Sequence, residues 1–109
     1  MIRFDSPEGR EYRKMSLSRP ALLSVWFAAL EEGASDWAGW ARTAAMQANP
    51  GDVSVLALRA LHGLLDGEAA GAHALLAILG SIPGAADTTY ARRTFAARAA
   101  LQRAEASRP

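Results

Sequence analysis

The sequence predicts an all-α chain of about five helices laid in antiparallel pairs. Three observations carry that expectation. From residue 18 onward, apolar residues recur at three- and four-residue steps, the period of one helix face. Glycine and proline punctuate the ends of those runs. Gly33 and Gly67 lie 34 residues apart, an interval shared by Ala38 and Ala72 and missed by one residue by Pro50 and Pro83. A glycine, an alanine-rich helical segment and a proline, occurring twice, is the mark of a repeated helix pair.

Residues 1–17 stand apart. Ile2 and Phe4 alternate with polar residues, and Ser6-Pro7-Glu8-Gly9 reads as a turn. A short hairpin and a flexible arm both fit this segment. The helical domain occupies residues 18–106. Ser18 is placed to cap the first helix, with Pro20 tolerated in its first turn. Leu22, Leu23, Trp26, Phe27 and Leu30 then share a face, and Gly33 supplies a left-handed stop.

Ser35 or Asp36 caps the second helix, which carries Trp37, Trp40, Ala41, Ala44 and Ala45 and ends at Asn49-Pro50-Gly51. Asp52 caps the third, with Val55, Leu56, Leu58, Leu61, Leu64 and Leu65 as its apolar set and Gly67 as its stop. The fourth runs from about Glu68 to Ser81, with Ala72, Leu75, Leu76, Leu79 and Ile82 inward, and ends at Pro83-Gly84. Asp87 or Thr88 caps the fifth, which carries Tyr90, Ala91, Phe95, Ala97, Leu101 and Ala104. Connections this short force neighbouring helices to run antiparallel.

A length of 109 residues suits one domain with a modest core. Half of the residues are hydrophobic, which argues against disorder of the whole chain. The 12 basic and 11 acidic residues leave a net charge of +1, a balance that argues against nucleic acid or a membrane surface as the main partner. The absence of cysteine removes disulfides, thiolate catalysis and cysteine-ligated metals.

The most apolar stretch, Val53 to Ile82, is broken by Arg59, His62 and Asp66-Gly67-Glu68 into pieces too short to span a bilayer. The N-terminus shows no apolar run of signal-peptide type, so the expected location is cytoplasmic. The richness in alanine, arginine and glycine suggests a GC-rich bacterial source. No glycine-rich phosphate loop, nucleophile elbow or metal motif occurs, so neither catalysis nor a cofactor is expected.

Taken together, these positions resemble the tetratricopeptide (TPR) repeat family. In the first unit Leu22, Val25 and Ala29 stand at first-helix packing positions, Gly33 at the turn, Ala38 and Ala45 on the second helix and Pro50 at the end. In the second unit Leu56 and Ala60 match the first helix, Gly67 the turn, Ala72, Leu76 and Leu79 the second helix, and Pro83 comes one residue early. Trp26 stands where a small residue is usual, Arg42 where a large apolar one is usual, and Arg59 where leucine is usual. The resemblance covers about residues 19–105 and implies a right-handed array of helix pairs with one open concave face. An ordinary five-helix bundle is the competing architecture.

In that family the first helix of each unit lines the concave face. The resemblance therefore implies a partner-binding row of Leu23, Phe27 and Leu30 with Glu31. It adds Ser54, Ala57, Leu61, Leu64 and Leu65, and from the fifth helix Thr88, Ala91, Phe95 and Arg98. Such a row is apolar and lacks the lysine and asparagine pattern that grips a carboxylate tail. It suits an amphipathic or apolar helix of another protein. The implied role is a protein–protein interaction module, a small chaperone or adaptor. A homo-oligomer packed through the same face is an alternative, as is plain burial of these residues in the core.

Trp37 and Trp40, three residues apart, read as packing against the first helix, with a second partner contact as the alternative, because tryptophan is enriched at binding hot spots. Arg92, Arg93, Arg98 and Arg103 give the last helix a basic side. It reads as a solvated face, with a DNA-associated regulator as the alternative. His62 and His73 fall on different helices with no acidic residue at ligand spacing. Glu31-Glu32 and Asp66 with Glu68 read as solvated turn charges.

Overall fold

The computed structural model describes residues 17–107. Among these the chain is all-helical, with five α-helices and no strand. The helices are α1 (Arg19–Glu32), α2 (Ser35–Ala48), α3 (Val53–Leu65), α4 (Ala69–Ser81) and α5 (Thr89–Ala106), with a 3-10 turn at Ala85–Asp87 between the last two. The expected hairpin or arm lies outside the described residues, Leu17 apart.

Packing divides the chain into two compact units, with the boundary between Ala48 and Asn49. In the first unit α1 packs on α2. In the second, α3 packs on α4 and α5, and the 3-10 turn packs on α4 and α5.

The first unit follows its local signals closely. Pro20 sits in the first turn of α1, and Ser18 holds the cap position in an extended conformation, although its side chain makes no capping bond. Gly33 ends the helix at φ 71°. Its N–H reaches the Leu30 carbonyl at 3.4 Å, and the Ala34 N–H reaches that of Ala29 at 2.9 Å. This paired arrangement satisfies carbonyls that the helix end leaves open, and glycine takes the left-handed shape without a Cβ clash.

The turn uses only Gly33 and Ala34, so α2 starts at Ser35. Ser35 and Asp36 therefore lie inside the first turn rather than at the expected cap. Asp36 places a carboxylate near the positive end of the helix. The buried residues are Leu22, Leu23, Val25, Trp26 and Ala29 on α1, and Trp37, Ala38, Ala41 and Ala45 on α2.

In the second unit Asp52 is the cap that the sequence predicts. Its Oδ1 accepts from the Ser54 N–H at 2.8 Å and from the Val55 N–H at 3.4 Å. α3 is the central helix, with a continuous buried run from Val55 to Leu58 and another from Ala60 to Gly63. It ends as α1 does, with Gly67 at φ 79° and the Glu68 N–H on the Gly63 carbonyl at 2.8 Å. A methyl group at Gly63 would lie 3.4 Å from the Ala72 Cβ, so these two small residues let α3 and α4 approach closely.

Leu56, Ala57 and Ala60 of α3, Leu76 and Leu79 of α4, Ala85 of the turn and Ala91 of α5 form one buried cluster. Val53, Leu64, Leu75, Ile82, Tyr90 and Phe95 pack around it. The 3-10 turn is absent from the sequence-based expectation. Gly84 at φ 77° redirects the chain after Pro83, and Ala85 drops into the core. Thr88 holds the cap position of α5, but its hydroxyl donates to the Ala85 carbonyl at 2.8 Å instead of capping.

Candidate functional site

The residues expected to line a groove are divided by the two units. Leu23, Phe27 and Leu30 belong to the first, and the α3 and α5 residues belong to the second. Within the first unit Leu23 is only 3% exposed, while Phe27 and Leu30 are partly buried and Glu31 is exposed. Trp37 is buried and Trp40 partly so. Their rings meet edge to face, 5.5 Å between centroids, which ties the pair into local packing.

In the second unit Ala57 and Ala91 are fully buried and Leu61 is 5% exposed. Ser54, Leu64, Thr88, Phe95 and Arg98 are partly buried, and Leu64 and Phe95 pack against the core cluster. Leu65 alone of the expected apolar row stands well into solvent, at 51% exposure. Leu23, Ala57 and Leu61 are thus interior residues of the fold. An apolar helical period marks a face that leaves water, and it does not say whether chain or partner covers it.

A different surface stands out in the second unit. α4 contains no Lys, Arg, Asp or Glu. Only Ala72, Leu76 and Leu79 of this 13-residue helix are buried. Its outer side presents Ala70, His73, Ala74, Ala77, Ile78 and Ser81, all exposed. A helix that is apolar on every side is ordinarily a buried helix. Ile78 is 49% exposed. Apolar periodicity marks only the inner side of this helix. The signal for the outer side is the uncharged run from residue 69 to 81.

α5 carries the basic side. Arg92, Arg93 and Arg103 are exposed, and the Arg98 guanidinium lies 5.2 Å from the centroid of the Phe95 ring. That contact is a cation–π pair within one helix. From Ala100 to Ser107 every residue is exposed, so the end of α5 has no packed side, and Leu101 is 40% exposed there.

The expectation that His62 lacks an acidic neighbour is corrected. Asp66 is four residues further on, one helical turn away, and its Oδ2 lies 3.1 Å from the His62 Nε2. His62 is buried and Asp66 exposed, so the pair ties the end of α3 to the first residue beyond it. Among the described residues, no group of three or more His, Asp or Glu side chains gathers in a way that could hold a metal ion. No described helix is long and apolar enough to cross a membrane. Glu31, Glu32, Asp66 and Glu68 are all exposed at helix turns. Comparison of the chain with family models, with curated proteins and with solved structures finds no match.

Proposed function

We propose that this chain is a protein–protein interaction module, a small chaperone or adaptor, and that the outer face of α4 seats the apolar side of a partner helix. The observation that carries this reading is the exposed, uncharged surface of α4. Burying such a surface contributes roughly 25 cal/mol per Å². No Lys, Arg, Asp or Glu side chain on α4 has to be stripped of water when it is covered. Its alanines and glycines allow a second helix to come close, and Ile78 offers a larger apolar contact.

The proposed architecture is TPR-like, with antiparallel pairs α1–α2 and α3–α4. Its support is the repetition of one turn chemistry. Gly33 and Gly67, 34 residues apart, both take the left-handed conformation at the end of a first helix. Two helices of 14 residues are followed by two of 13. In this reading Leu65, at the end of α3, is the part of the expected row that remains open to a partner.

Hydrogen exchange on the complex with a co-purified partner tests the assignment. Slower exchange in α4 on binding, larger than in α5, is the expected outcome. Protection confined to other helices would remove α4 from the interface.

A further inference from the structure

We draw no further inference here: the strongest candidate, the uncharged outer face of α4 as a seat for a second copy of this chain, belongs to the surface already described, and nothing in the structure shows which molecule covers it.

Discussion

The Thr94 hydroxyl donates to the main-chain carbonyl of Ala57 at 3.0 Å, joining α5 to α3 across 37 residues of sequence. Both residues are 0% exposed. The same hydroxyl lies 2.8 Å from the Tyr90 carbonyl one turn earlier, so its single hydrogen is shared between a neighbour in the helix and a distant one. Replacing it by a methyl group of the same shape keeps the packing and removes the bond. Thr94→Val is expected to lose about 1 kcal/mol of stability, the net worth of a buried neutral hydrogen bond. Urea melts of the two proteins give that difference directly.

The glycines divide by conformation, and substitution should divide them by sign. Gly67 sits at φ 79°, where an L side chain is strained. Gly71 lies on the exposed side of α4, and nothing stands within 4 Å of a Cβ built there. Gly67→Ala is expected to destabilise by about 1 kcal/mol. Gly71→Ala should stabilise by roughly 0.5–1 kcal/mol, the helix preference of alanine over glycine. Thermal melts in which Gly67→Ala matched or exceeded the parent would contradict the left-handed assignment at Gly67, and a destabilised Gly71→Ala would contradict the open helical site at Gly71.

The Asp52 side chain caps α3 through the Ser54 and Val55 N–H groups. Asp52→Ala should cost about 1 kcal/mol, while Asp52→Asn and Asp52→Ser should cost less, because each keeps an acceptor oxygen. Denaturant midpoints of the three variants set against the parent protein check the order.

Leu61 separates a groove from a core. At 5% exposure on α3, it has no room for a charge. Leu61→Glu is expected to destabilise the protein at a cost on the order of 3–5 kcal/mol for an unpaired buried carboxylate. Retention of the far-UV helical signal and of the parent's melting temperature in that variant would show that Leu61 faces open space.

The glycine stops of α1 and α3 and the Asp52 cap were legible in the sequence because their causes are local, whereas Ser18 and Thr88 hold cap positions without a capping bond and Ser35 lies inside its helix. A glycine at Gly33 or Gly67 and a carboxylate at Asp52 act on groups within one turn of themselves. Burial is not local, and there sequence and structure diverge. Leu61 and Leu65 belong to one apolar set in the sequence, yet one is interior and the other half in solvent. Thr94 and Gly63 carry no apolar signal. Thr94 is nevertheless fully buried and Gly63 lies at the close approach of α3 and α4, each made suitable by a partner far along the chain or on the next helix. The 3-10 turn escaped because Pro83-Gly84 marks the end of one helix and carries no signal for the element after it. The outer side of α4 was legible in principle, since thirteen residues without a charge exceed the needs of one buried face.

The most direct test is the affinity of a purified partner for three forms of the full chain, measured by calorimetric titration. Ala77→Glu puts a carboxylate in the middle of the exposed α4 face, and Ala100→Glu puts the same group on the exposed side of α5. Both positions are exposed and helical, so both variants should fold, as circular dichroism would verify. Ala77→Glu is expected to weaken binding by at least about tenfold, the equivalent of about 1.4 kcal/mol, with Ala100→Glu close to the parent. Equal affinity for the parent and Ala77→Glu would contradict the assignment of α4 as the docking face.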